Sequence, residues 1–235
     1  MKNLKLSGYF IAISLLADSC TENPKSDEAE VSEAREVGTV DNANVLDVDK
    51  QVSEVTWVGT RPGKRHHGTI EIERGNIEVA NNEIVGGSFV FDLNNIEVMD
   101  LEGEDKQKLT GHLKSADFFD VENHPQAKFE IVSLEEYAPT EASGSLSVQE
   151  SEFQLANPTH KITGNLTMRD RTLGVTFPAR VSLNNDQVQA EAKFNIDRTQ
   201  WGVSYQDESK VIDKARDRFI YNTVNVGFNI IAQNN

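Results

Sequence analysis

The chain has 235 residues, of which 37% are hydrophobic and 26% are charged, enough for one domain of barrel or sandwich size with additional segments. Its 38 acidic residues against 23 basic ones give a formal net charge of −15 and a pI near 4.7. This charge excludes nucleic-acid backbones as partners, and the single cysteine excludes an intrachain disulfide and a cysteine-rich zinc site.

The first twenty residues have the pattern of an export signal. Lys2 and Lys5 precede a mostly apolar stretch, residues 6–17. This stretch is too short to span a bilayer as a helix. It leads into the motif Leu-Ala-Asp-Ser-Cys at residues 16–20, which resembles a bacterial lipobox. We therefore predict a signal peptide over residues 1–19 and a lipid anchor at Cys20. The alternative is an ordinary secretory signal with an incidental cysteine.

Residues 21–45 are acidic and carry no aromatic side chain, with seven acidic residues against two basic ones. Such a segment cannot bury enough apolar surface to fold alone. We predict that residues 20–45 form a lipidated N-terminus and a flexible linker, followed by a barrel domain over residues 46–235. Two alternatives stay open, a transient helix over residues 30–37 and a surface-export signal at Ser26-Asp27-Glu28.

Beyond residue 47, short stretches alternate apolar and polar side chains, which is typical of antiparallel strands with one buried face. Turn residues lie between several of them, at Asn81-Asn82, residues 169–171 and residues 184–186. About eight or nine strands result, and a sheet of this size can close into a barrel that holds one small ligand. The alternating stretches cover residues 70–73, 76–79, 89–93, 129–131, 162–168, 175–183, 188–196 and 224–230.

The main interruption of the strand pattern lies between Leu101 and Pro125, where apolar residues recur at helical spacing. We predict a helix from about Gly103 to Ser115, and a weaker second helix from Asp207 to Asp217. Two helical excursions would give the barrel a lid over one mouth.

Three ordered blocks resemble the YceI-like, lipid-binding family: LKSADFFDVENHPQAKFE at residues 113–130, ITGNLTM at 162–168 and FNIDRTQWG at 194–202. With the flanking strands, the resemblance covers residues 52–232. It implies an all-β fold, an extended lipocalin-like antiparallel β-barrel of about eight strands with one or two short helices. It also implies export to the periplasm and a pore that encloses a polyisoprenoid chain or another amphiphile.

No sequence motif for catalysis is present, since HExxH, GxSxG, P-loop and GxGxxG patterns are all missing from the sequence. His66 and His67 would point to opposite faces of a strand, and a metal site from His67, His112 and His124 would require the helix to fold over the strand. Solvated loop histidines are the better interpretation. We therefore predict a binding protein rather than an enzyme, with no catalytic residue, metal or cofactor.

The alternating faces predict which side chains meet a ligand. Three aromatic residues are predicted to form the mouth of the barrel: Phe118 and Phe119 after the helix, and Trp201 after the last-but-one strand. Ordinary packing at the end of the barrel is the alternative. Asp197 and Arg198 are predicted to fix a neighbouring loop by charge-assisted hydrogen bonds, the alternative being a ligand head group. The interior candidates are Ile70, Ile72, Phe89, Phe91, Phe129, Ile131, Leu166, Phe194 and Val226.

We predict an exported lipoprotein whose barrel binds and carries or stores a polyisoprenoid, a fatty acid or a similar lipid. The alternative is a structural or interaction barrel of the cell envelope without a bound lipid. Its partners would be the apolar molecule and, through Cys20, the membrane, with a homodimer left open. By analogy with bacterial lipoprotein sorting, Thr21 in place of an aspartate indicates the outer membrane, reached from the periplasm.

Overall fold

A computed structural model describes residues 23–138, 150–184, 187–213 and 218–234. No helix within these ranges is long and apolar enough to cross a membrane. The strands are β1 (Asp27–Glu28), β2 (Glu30–Glu33), β3 (Asn44–Val48), β4 (Glu54–Arg61), β5 (Lys64–Ala80), β6 (Glu83–Val98), β7 (Gln126–Glu136), β8 (His160–Met168), β9 (Arg171–Asn184), β10 (Gln187–Asp197) and β11 (Thr223–Gln233). The helix α1 spans Gly103–Lys114, and 3₁₀ turns span Arg198–Trp201 and Glu208–Lys210.

Eight strand positions close into an antiparallel barrel, which confirms the predicted fold class. Strands β5 to β11 follow one another around the wall, with β10 pairing to both β9 and β11. The ring closes because β3 and β4 each bridge β11 and β5: β3 pairs with one end of both strands and β4 with the other. The two short strands therefore share a single position in the wall.

Two-residue turns join neighbouring strands where the sequence predicted them. Asn81 and Asn82 between β5 and β6 have φ values of 53° and 63°, and Arg169 and Asp170 between β8 and β9 have 47° and 57°. Positive φ at both central residues is the type I′ geometry, whose twist matches that of the flanking strands. These two turns are confirmed, whereas residues 185 and 186 of the third lie outside the described residues.

The predicted helix is confirmed and covers one end of the barrel, where β4, β6, β8 and β10 finish; we call this the helix end. Leu113 of α1 packs there with Trp57, Val98 and Phe118. The second predicted helix is wrong within the described residues, since Glu208–Lys210 forms only a 3₁₀ turn and residues 214–217 lie outside them. The rest of the core fills the barrel interior.

Residues 23–35, which we call the strap, pair with the edges of two barrel strands and are not the flexible linker that the composition predicted. Strand β1 pairs in parallel with β10, and β2 pairs antiparallel with β9 in place of the transient helix. The prediction was wrong because composition measures whether a segment folds alone, whereas the barrel offers this one unpaired strand edges. The predicted signal peptide and Cys20 lie outside the described residues.

Candidate ligand-binding site

An apolar cavity of about 220 Å³ lies inside the barrel, with a wall built by strands β4 to β11 and the end of α1. The wall is apolar because each of these strands turns alternate residues inward and those residues are aliphatic or aromatic. An apolar cavity of roughly 150 Å³ holds one benzene ring, so this cavity has room for a chain segment of roughly eight to ten carbon atoms.

Phenylalanine rings from five strands pack against one another around this cavity. The rings of Phe177 and Phe194 are stacked with centroids 4.0 Å apart. Phe129 lies 5.9 Å and Phe228 5.8 Å from Phe177, and Phe89 lies 6.3 Å from Phe129. Contacts of this kind add about 0.5–1.5 kcal/mol per pair beyond the burial of area. They hold the wall in one shape and leave its surface apolar.

Most of the residues predicted from the strand pattern lie on the cavity wall, and two do not. Ile72 is buried in the core between two β-bulges of the β5–β6 pairing, which bend the strand at that point. Trp201 is 1% exposed and donates its Nε1–H to the carbonyl of Leu166 at 2.9 Å, so it packs the end of the barrel. The predicted residues on the wall are Ile70, Phe89, Phe91, Phe118, Phe119, Phe129, Ile131, Leu166, Phe194 and Val226.

The sequence prediction missed several wall residues. Trp57 and Gly59 belong to β4, where the alternation of Val55 and Trp57 with polar neighbours was the available signal. Phe177 and Phe228 lie on strands that were predicted, and Phe228 lies on the same face as Val226, which was chosen. The indole N–H of Trp57 is buried and has no hydrogen-bond acceptor among the described residues.

Arg198 carries the one charge among the described residues of the wall. Its guanidinium, 5% exposed, donates to the carbonyls of Val203 at 2.6 Å, Tyr205 at 2.9 Å, Ile220 at 3.1 Å and Tyr221 at 3.2 Å. Burial lowers the pKa of Arg198 from its ordinary value, although a guanidinium stays charged in proteins. The contacts are those of the predicted loop-fixing role, because four of the five N–H donors hold the segment between β10 and β11.

The described residues thus form a closed apolar barrel, and the family follows from the sequence. The model of the YceI-like domain matches residues 46–232. The chain belongs to the YceI-like family. A search of curated proteins found no match to it.

Two solved structures share the fold of this YceI-like barrel. BcnA from Burkholderia cenocepacia superposes with a TM-score of 0.58 at 19% identity, covering 80% of this chain and 100% of that one. A polyisoprenoid binding domain from Saccharophagus degradans, implicated in plant cell wall breakdown, gives 0.53 at 12% identity, covering 81% and 98%. At these identities the likeness establishes the fold.

A second buried charge of the YceI-like barrel stabilises the loop that Arg198 holds. The carboxylate of Asp207 accepts from the backbone N–H of Ser209 at 2.9 Å, from its hydroxyl at 2.7 Å and from the side-chain amide of Asn222 at 2.9 Å. The bonds from Ser209 and Asn222 hold the pKa of Asp207 well below its ordinary value. The loop keeps this stabilisation at neutral pH and loses it as the pH falls below the ordinary range of a carboxyl.

Side-chain contacts join the remaining loops at the helix end. Arg169 donates to the carbonyls of Phe118 at 2.8 Å and Gly202 at 3.0 Å, linking the β8–β9 turn to the segments after α1 and after β10. The ring of His112 lies edge-on to those of Phe118 and Tyr205, at 4.9 and 4.7 Å. The loops at the helix end are therefore joined by hydrogen bonds and ring contacts, and together they cover the cavity.

Three of the five histidines lie beside carboxylates. His66 Nδ1 is 2.8 Å from Asp100, His112 Nε2 is 3.2 Å from Asp117, and His124 Nδ1 is 3.3 Å from an oxygen of Asp170. Within the described residues, no three histidine, cysteine, aspartate or glutamate side chains come together to hold a metal ion.

Proposed function

We propose that this YceI-like barrel binds one apolar chain, of an isoprenoid or fatty acyl molecule, and carries or stores it without catalysing a reaction. The observation that supports the proposal is the cavity, whose wall is apolar and whose one described charge is already hydrogen-bonded to backbone carbonyls. The same fold serves a polyisoprenoid binding domain in Saccharophagus degradans.

Burial of the chain supplies the free energy of binding. Each buried methylene contributes about 0.8 kcal/mol, so a segment of roughly eight to ten groups gains about 6–8 kcal/mol before the costs of ordering are subtracted. This stays below the practical ceiling of non-covalent affinity, about 18–21 kcal/mol. Since the one described charge of the wall is already hydrogen-bonded to backbone carbonyls, the polar head of the ligand stays outside the cavity. The length of the ligand chain and the width of the barrel interior then set the specificity.

The two tryptophans allow binding to be measured inside the cavity. Trp57 lines the cavity and Trp201 does not, so we expect palmitate or geranylgeraniol to change the tryptophan emission of the wild type and of Trp201→Phe. Trp57→Phe should bind the same chain with an unchanged emission spectrum. Native mass spectrometry of the delipidated proteins gives the stoichiometry, expected as one chain per barrel.

A protein that binds neither chain by mass spectrometry would contradict the proposed function and favour a structural barrel without a lipid. An emission change that persists in Trp57→Phe would place the ligand outside the cavity. The proposal therefore depends on both the stoichiometry and the position of the signal.

We propose further that the protein is exported and anchored through an acylated Cys20 to the outer membrane, on its periplasmic side. The apolar stretch and the lipobox-like residues before Cys20 support this. In cells fed labelled palmitate, we expect Cys20→Ala to lose the label and to leave the membrane fraction, whereas Ser19→Ala, which keeps a small residue before the cysteine, retains both. Label that persists in Cys20→Ala would contradict the anchor.

A further inference from the structure

The barrel wall is split between two of its strands. β9 and β10 pair directly only over residues 180–184 and 187–191. Nearer the helix end, β9 pairs with β2 over residues 173–176, and β10 pairs with β1 at residues 194 and 195. The strap thus crosses from the edge of β10 to the edge of β9 at the place where the two strands have separated.

The strap is fastened mainly by polar contacts. Asn195, 1% exposed, donates its side-chain amide to the carbonyl of Pro24 at 2.8 Å and to the carboxylate of Glu28 at 2.9 Å. The side chain of Asn165 donates to the carbonyl of Arg35 at 2.7 Å and accepts from its N–H at 2.9 Å. These asparagines lie next to inward-facing residues on their strands and so point outward. If the strap lifts, water replaces it at these amides.

The cavity begins directly behind the split. Phe177 of β9 and Phe194 of β10 both line the cavity, and their stacked rings span the gap between the two strands. Val175 and Ile196, one alternate position further along each strand, also line it. Outside this aromatic pair, the strap contributes Ala29 and Val31 to the edge of the core. Two layers therefore separate the cavity from the exterior at this point.

We propose that the split between β9 and β10 is the entrance for the ligand chain and that the strap is its displaceable cover, which rests on the proposed function. The helix end is held closed by two buried charged side chains, Arg198 and Asp207. Breaking their hydrogen bonds would leave buried charges without partners, which costs a large free energy. The strap is fastened by two short backbone ladders, by neutral side-chain amides and by an exposed ion pair of Glu30 with Lys161, and water can replace all of these contacts. Of the two covers, the strap is therefore the one that opens.

The position of the strap in the chain fits delivery from a lipid surface. The strap lies outside residues 46–232, the part that the family model matches. Asn23 lies three positions after Cys20, a distance of at most about 11 Å along extended chain. An acyl group on Cys20 would hold the split beside the membrane, and an apolar chain would pass sideways into the barrel without crossing water.

A disulfide across the strap tests the entrance in the Cys20→Ala chain. Glu30 pairs with Thr176, and opposite residues of antiparallel strands lie within disulfide range. We expect the oxidised Glu30→Cys/Thr176→Cys protein to take up and release a fluorescent long-chain polyene fatty acid at least about tenfold more slowly, with an unchanged Kd. Reduction should restore both rates.

The matched control places the disulfide where β9 and β10 pair directly. Ser182 and Gln189 are exposed partners there, and the oxidised Ser182→Cys/Gln189→Cys protein should keep wild-type rates. Unchanged rates in the strap-locked protein, or equal slowing in the control, would overturn the entrance. Absence of binding in the reduced proteins would instead overturn the proposed function, and the entrance with it.

A variant that loosens the strap gives the opposite result without a disulfide. Asn165→Ala removes both hydrogen bonds to Arg35, so we expect faster uptake and release and faster hydrogen exchange of the amides in β2. The amides of residues 187–191 should exchange as in the wild type. Faster exchange in β2 with unchanged ligand rates would count against the strap as the cover.

Discussion

We expect Gly59→Phe to weaken the binding of a long apolar chain by on the order of a hundredfold or more, without unfolding the barrel. Gly59 lies on β4 and lines the cavity, and no atom lies within 4 Å of the position where its Cβ would stand. A side chain there grows into free space. A phenylalanine ring would displace several methylenes of the ligand, each contributing about 0.8 kcal/mol.

The control and the readout follow from the same geometry. Gly111, on the exposed side of α1, also has free space at its Cβ position, and Gly111→Phe should bind as the wild type does. Titration with saturated fatty acids of increasing length should show a loss in Gly59→Phe that grows with chain length, because short chains still fit the remaining cavity. A folded Gly59→Phe protein with wild-type affinity for palmitate would contradict the proposed site.

The barrel and much of its wall could be predicted because strand alternation carries the information. In an alternating stretch such as Val188 to Ile196, the choice of inward face follows from the apolar positions alone. Ile72 shows the limit of this reasoning. Its side chain leaves the cavity wall because β-bulges on either side of it change the direction of the strand, and a bulge leaves no mark in the apolar pattern.

The strap could not be predicted, and the partners of Arg198 could not be named, because both depend on contacts that only the fold brings together. Residues 27–33 become strands only beside the free edges of β9 and β10, 140 to 167 positions away along the chain. The sequence favoured a loop over a ligand head group as the partner of Arg198, and the structure shows four carbonyls from residues 203–221 as its acceptors. Trp201 is buried for the same reason, through an acceptor on β8.

We expect Arg198→Met to lower the free energy of unfolding by about 3–5 kcal/mol, the largest effect of any single change considered for this barrel. The substitution keeps the apolar stem but leaves four carbonyls without their donor, at a site that is buried. Thermal unfolding should shift down by about 10 °C or more for a domain of this size. Arg180→Met is the control, because the ion pairs of Arg180 with Glu150 and Glu191 lie at the surface and contribute about 1 kcal/mol or less.

Arg198→Lys separates the charge from the geometry of the guanidinium. An ammonium keeps the positive charge but presents its donors from one point, so it cannot reach carbonyls that surround a planar fork. We expect it to recover less than half of the stability lost in Arg198→Met. Full recovery would show that the charge alone matters and that the four hydrogen bonds do not hold the loop.

The same variant decides between a structural and a ligand-binding role for Arg198. The N–H donors of Arg198 are already hydrogen-bonded to backbone carbonyls. The ratio of the affinities for a fatty acid and for the alcohol of equal chain length should therefore be unchanged in Arg198→Lys. If Arg198 held the ligand head group instead, the preference for the carboxylate would fall with little loss of stability. A loss of stability without a change in that ratio would show that the guanidinium holds the loops at the helix end together. The apolar residues of the cavity wall would then be the ones that select the ligand.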